Sequence, residues 1–121
     1  MVKAVFDTNI LIDYLNGITA AQDEILRYRE RAISIVTWME VMVGTTPETE
    51  AGTRAFLGTF EILLLTDLVA EEAVALRRTH RIRLPDAVIW ASALTSASLL
   101  VTRNSRDFPA DRPEVRIPYV L

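Results

Sequence analysis

Residues 2–17, VKAVFDTNILIDYLNG, change character part-way along. Val2 to Phe6 is a short apolar run that reads as a buried strand. It ends on Asp7-Thr8-Asn9, where Asp and Thr are good helix caps. Ile10, Leu11, Tyr14 and Leu15 then recur at helical spacing, and Asn16-Gly17 supplies the stop. A buried strand thus runs directly into a capped helix.

The same alternation continues outward. Thr19 to Arg31 reads as a second helix with a charged outer face, and Ile33 to Val36 as a strand rich in β-branched residues. Thr37 is placed to cap the next helix. Glu40 follows at the capping-box spacing, Thr-x-x-Glu, and Gly44 ends that helix. Thr46-Pro47 predicts another helix start, with Pro in the first position. Ile62 to Leu65 is a third strand, and Thr66 caps a long helix reaching about Arg81. From Leu84-Pro85-Asp86 a helix begins whose face is apolar nearly all round, which predicts a central position. Leu99 to Thr102 is a fourth strand, with an edge strand expected at Val115 to Ile117. This pattern predicts an α/β fold, with a mostly parallel sheet of four to five strands and helices on both faces.

With 121 residues and no linker or repeat, a single domain over 1–121 is expected. Half the residues are apolar, enough for a packed core and too many for a disordered chain. The chain has no cysteine, which excludes disulfides and thiolate zinc sites. The stretch before Asp7 is too short for a secretory leader. The most apolar segment, Ala87 to Val101, is shorter than a bilayer span and interrupted by Ser92, Thr95, Ser96 and Ser98. The expectation is a cytoplasmic protein with no membrane association.

In open parallel sheets, ligands bind beyond the carboxyl ends of the strands. Asp7 ends the first strand, Asn104 and Asp107 follow the fourth, Glu40 lies one turn past the second and Asp86 starts the central helix. Each also has a structural reading. Asp7 suits a helix cap, Glu40 the closing of a capping box, and Asp86 a helix start favoured by the dipole. Taken together they point to one acidic rim. Asp13 lies about a turn and a half beyond Asp7 at 3.6 residues per turn, so it should point elsewhere. Trp38 and Trp90 sit in apolar helices and read as core.

Phe6-Asp7-Thr8-Asn9, Trp38-Met39-Glu40-Val41, Leu84-Pro85-Asp86-Ala87 and Val101-Thr102-Arg103-Asn104, in that order, resemble the PIN-domain ribonucleases. Their spacing looks like that of the VapC-type toxins of prokaryotic toxin–antitoxin pairs, over essentially the full chain. The resemblance implies a PIN-like three-layer α/β/α fold and Mg²⁺- or Mn²⁺-dependent endonucleolytic cleavage of RNA. It implies Asp7, Glu40 and Asp86 as the metal-centred acids. Many members carry a fourth acid after the last strand. Here Asn104 stands at that point with Asp107 shortly after, and either could complete the site. A homodimer and a VapB-like antitoxin partner are also implied, with Ile10 to Leu15 and Val41 to Val43 as candidate contacts, equally readable as core.

The residue types suit this chemistry. Mg²⁺ and Mn²⁺ are hard cations that prefer oxygen ligands. His80, the single histidine, lies among arginines and reads as a surface or RNA-facing residue. The net charge of −3 is unusual for a nucleic-acid binder. The arginines nevertheless cluster, at Arg77, Arg78, Arg81 and Arg83 and again at Arg103, Arg106 and Arg112. Of these, Arg103, Arg106 and Arg81 are the expected RNA contacts. A haloacid-dehalogenase-type phosphatase would need an acid where Asn9 stands and a lysine, and Lys3 is the only lysine. A non-catalytic PIN-like module that binds RNA or protein is the remaining alternative, and Asn104 is its best argument.

Overall fold

The computed structural model describes residues 2–121. Among them, β1 (Lys3–Phe6) leads into α1 (Thr8–Leu15) and α2 (Thr19–Leu26). Then come β2 (Glu30–Ser34), α3 (Ile35–Val43), α4 (Glu50–Leu57), β3 (Glu61–Leu63) and α5 (Asp67–His80). The chain closes with α6 (Leu84–Thr95), β4 (Leu99–Val101) and β5 (Val115–Arg116). The five strands form one sheet in the order β3-β2-β1-β4-β5, and every pairing is parallel. All strands therefore point their carboxyl ends at one edge.

The strand pleat sorts the core into two layers. Ala4 and Phe6 of β1, with Val101 of β4, face the cluster built by α1 to α4, where Tyr28 and Phe60 stand edge-on to Phe6. Val5 and Leu100 face the opposite cluster with α5 and α6. Apolar residues on both faces are what a parallel sheet covered on both sides requires. No helix is long and apolar enough to cross a membrane among the described residues.

Several local expectations yield to tertiary pairing. The second helix ends at Leu26, not Arg31, because Glu30 and Arg31 are taken into β2 opposite Lys3 and Ala4. Ile35 and Val36, expected in a strand, instead open α3, whose cap is Ser34: its side chain accepts from the Val36 N–H at 3.1 Å. Thr37 is therefore no cap. It is buried inside α3, and the capping box with Glu40 does not form. Pro47 does not begin a helix either. Thr46 and Thr49 close a hydrogen-bonded turn and α4 starts at Glu50. Leu64 and Leu65 lie beyond β3 and are exposed. His80 is half-buried, with its ring packed against Trp90 at a centroid distance of 4.7 Å, and it does not line the acidic cavity described below.

The central helix does stand at the centre. Every residue from Asp86 to Ala93 in α6 is buried. Trp90 is fully enclosed, edge-on to Phe108, and its indole N–H donates to Glu114 at 3.1 Å. On the other layer, Glu24 of α2 accepts two bonds from Arg116 of β5, at 2.6 and 3.0 Å, and one from the Tyr28 hydroxyl at 2.9 Å. Burial opposes ionisation of Glu24, but these donors outweigh it and hold its carboxyl below the ordinary range. The edge strand is thereby tied to the helix layer. Replacing Trp90 with Ala should cost about 3–5 kcal/mol of stability, from lost burial and the cavity left behind. Urea denaturation would read this as a lowered midpoint at an unchanged slope.

Candidate acidic active site

The site begins with how β1 ends. The Asp7 N–H donates to the Val101 carbonyl at 2.9 Å, so the first residue past β1 is held by the last residue of β4. Asp7 then caps α1 by accepting from the Thr8 N–H at 2.7 Å. Its other carboxyl oxygen accepts from the Thr102 hydroxyl at 2.7 Å and the Asn9 amide at 3.1 Å. The expected cap exists, and the same carboxylate also faces a cavity.

That cavity, about 310 Å³, is lined by Asp7, Thr8, Asn9, Ile12, Glu40, Arg83, Asp86, Arg103 and Asn104. Three acids separated widely in sequence thus share one space. Asp7 and Asp86 are buried, and Glu40 lies on the exposed lip. Glu40 accepts from the Thr8 hydroxyl at 2.6 Å, which ties α3 to the start of α1. Asp86, in the first turn of α6, accepts from Arg83 Nε at 3.3 Å.

Burial, and to a smaller extent crowding, shows in the proton affinities. Burial pushes the Asp7 carboxyl up to about 6, against bonds from Thr102 and Thr8 that favour its ionised form. The charges of Asp86 and Glu40 push the same way as burial. Asp86 is also raised, mainly by burial, with Arg83 opposing and Asp107 and Glu40 assisting.

The two candidates for the fourth position lock each other. Asn104 donates its amide to Asp107 at 2.9 Å, and its carbonyl oxygen accepts from the Asp107 N–H at 3.1 Å. Asn104 lines the cavity, whereas Asp107 stands behind it and acts on Asp86 through its charge.

Among the described residues, no three or more acidic or histidine side chains stand close enough together to hold a metal ion as they are placed. The donor set nevertheless suits Mg²⁺ or Mn²⁺. Such ions keep several waters and usually take only one or two carboxylates directly. A buried carboxyl that resists ionisation beside two others is a place where a divalent cation relieves repulsion.

The arginines divide. Arg103 lines the cavity, and with Arg106, Asn9, Asn104 and Ser105 it also lines an adjoining depression. Arg81 is exposed at the left-handed end of α5 (φ 56°) and is not among the lining residues. Arg83, two residues on, does line the cavity. Thr102 and Asn9, which grip Asp7, were visible only as motif letters. Their signal was position: one follows the strand adjacent to β1, the other sits in the first turn after Asp7.

Comparison with known proteins agrees with this geometry. A family profile described as "PIN domain" matches residues 4–111. Ribonuclease VapC10 of Mycobacterium tuberculosis is 32% identical over 111 residues, covering 85% of this chain and 84% of that protein. The solved toxin–antitoxin complex from Klebsiella pneumoniae contains a chain 44% identical, with a TM-score of 0.93 over 98% of this chain and 100% of that one. The DNA-bound VapBC structure from Salmonella typhimurium matches at 25% identity and a TM-score of 0.78, over 96% of each chain. Since the profile runs from β1 to the loop beyond β4, and so takes in every residue lining the acidic cavity, the chain belongs to the PIN-domain family.

Proposed function

We propose that this chain, a single domain over 1–121, is a Mg²⁺- or Mn²⁺-dependent endoribonuclease and the toxin of a type II toxin–antitoxin pair. The observation that carries the reading is the convergence of Asp7, Glu40 and Asp86 on one cavity. The similarity to a ribonuclease and to a chain of a toxin–antitoxin complex supports the substrate and the biological role.

Asp7 and Asp86 are the buried acids and would hold the ion. When bound, it supplies a positive centre that acidifies a water and balances charge on the phosphate undergoing attack. Glu40 stands on the open lip, anchored through Thr8, where a carboxylate can orient a water and accept its proton. Asn104, with Asp107 behind it, completes the polar rim. Thr102 and Asn9 keep the Asp7 carboxylate in a single orientation. Arg103 and Arg106 present positive charge beside the acids, where a strand's phosphates would lie. This local distribution answers the objection from a net charge of −3.

The antitoxin is assigned to the groove between α1, α3 and α4. Ile12, Leu15, Val41 and Gly44 line it, and exposed Val43 lies beside them in sequence. The candidate contacts thus split, with Ile10 and Leu11 in the core and Ile12 and Leu15 outside it. Ile12 borders both groove and cavity, so a segment lying in the groove reaches the acids. A homodimer in the cytoplasm completes the reading.

Asp7→Asn keeps a capping side chain and should fold, because Asn caps helices about as well as Asp. Cleavage of RNA should fall by more than roughly 100-fold, beyond the upper end of what losing a metal's supporting shell costs. Near-normal, EDTA-sensitive cleavage in that variant would remove Asp7 from the mechanism. RNA binding by the wild type without any metal-dependent cleavage would instead favour the non-catalytic module.

The proton affinity of Asp7 yields a second expectation. The folded chain holds this proton more tightly than the unfolded chain does. Ionising Asp7 therefore removes stability as pH rises from 3.8 toward about 6. The full penalty is on the order of 3 kcal/mol. In EDTA, Asp7→Asn should be more stable than wild type at pH 7, and by a smaller margin at pH 5. Adding Mg²⁺ at pH 7 should raise the melting temperature of the wild type more than that of the variant.

A further inference from the structure

Asp13 was left without a role by the cavity, yet it is one of the most committed groups in the molecule. It is 5% exposed and lies one helical turn beyond Asn9 on the same face of α1. Arg103 donates to both of its carboxyl oxygens, from Nε at 2.7 Å and Nη2 at 3.0 Å. The Tyr119 hydroxyl, from the tail beyond β5, donates to the same carboxylate at 2.8 Å. Asn9, meanwhile, accepts the backbone N–H of Arg103 at 3.1 Å. Two residues of one helix face therefore hold residue 103, one by its backbone and one by its side chain.

We propose that Asp13 and Tyr119 are positioning residues for substrate: they orient the Arg103 guanidinium at the rim of the acidic cavity so that it receives an RNA phosphate. This rests on the nuclease reading above and adds the device that organises its basic rim. A guanidinium has five N–H donors, and Asp13 occupies two, leaving three for an incoming phosphate. The Arg103 side chain is 34% exposed and lines both the cavity and the adjoining depression. With its rotamer set by a bidentate pair, Arg103 loses its conformational freedom on folding and not on binding. Burial, and then the bond to Asp13, keep the Tyr119 hydroxyl protonated and donating well above neutral pH. A buried ion pair is a weak way to gain stability compared with apolar packing, so orientation is the better reason for one here.

The molecule carries its own control. Glu24 of α2, Arg116 of β5 and Tyr28 just past α2 repeat the acid–arginine–tyrosine arrangement, but Arg116 does not line the cavity. Tyr119→Phe should raise the KM for a single-stranded RNA roughly three- to tenfold, with kcat and Mn²⁺ affinity unchanged. Tyr28→Phe should change none of these. Arg103→Gln should raise KM further and reduce the salt slope of RNA affinity, measured in EDTA, by about one. In that background Tyr119→Phe should add nothing. Asp13→Asn should match Arg103→Gln where it folds, and Tyr119→Phe carries the test if it does not. Wild-type KM in Tyr119→Phe, or a KM increase that persists when Arg103 is already Gln, would overturn the positioning role while leaving the nuclease intact. A wild type that cuts no RNA would overturn both.

Discussion

The geometry of this protein depends on β1 running parallel between β2 and β4. In that position its end has one place to go, and the Asp7 N–H meets the Val101 carbonyl as the strand finishes. The carboxyl edge of the sheet then becomes a collecting line. Thr102 and Asn104 emerge from β4, and α3 leaves β2 carrying Glu40. Asp86 does not come from a strand. It arrives because α6 is buried along most of its length and can lie only across the sheet. The acids are assembled by hydrophobic burial elsewhere in the molecule, chiefly around Trp90 and Phe6, and the packing offsets the repulsion their assembly creates.

That repulsion is functional capacity held in the fold. A carboxyl as buried as Asp7 would ordinarily be a liability, and Thr102, Asn9 and Thr8 reduce its cost without removing it. What remains is a demand for positive charge inside the cavity. The protein meets part of it from its own rim, where Arg83 reaches Asp86. At Arg103 the positive charge of this rim is held in place by short bonds. The Asp13–Arg103 pair is bidentate, partly buried and topped by Tyr119. A modest net charge is therefore no guide to what a phosphate chain would meet at this edge.

The two acid–arginine–tyrosine clusters show one chemistry serving two ends. Around Glu24 it pins the edge strand β5 to the helical layer. Around Asp13 it couples the C-terminal tail to the mouth of the cavity. Location relative to the cavity, and not the bonding itself, separates an anchor from a positioning device.

Hydrophobic period and caps were enough to read the alternation of strands and helices and the buried character of α6, because each rests on neighbours within a turn or two; Asp7, Glu40 and Asp86 were singled out by four short motifs in a family's order. Boundaries that long-range pairing decides were misread. Glu30 and Arg31 look helical until β1 recruits them. Asp13 and Tyr119 meet across 106 residues, and Asn9 and Thr102 across 93, so no local window contains either pair. Arg83 and Arg81 carry the same charge two positions apart, and only the turn into α6 selects which one reaches the acids. Local chemistry in the chain decides which groups are available. Sheet register and helix packing decide which of them share a space, because a side chain's partner is set by where the backbone returns and not by what precedes it.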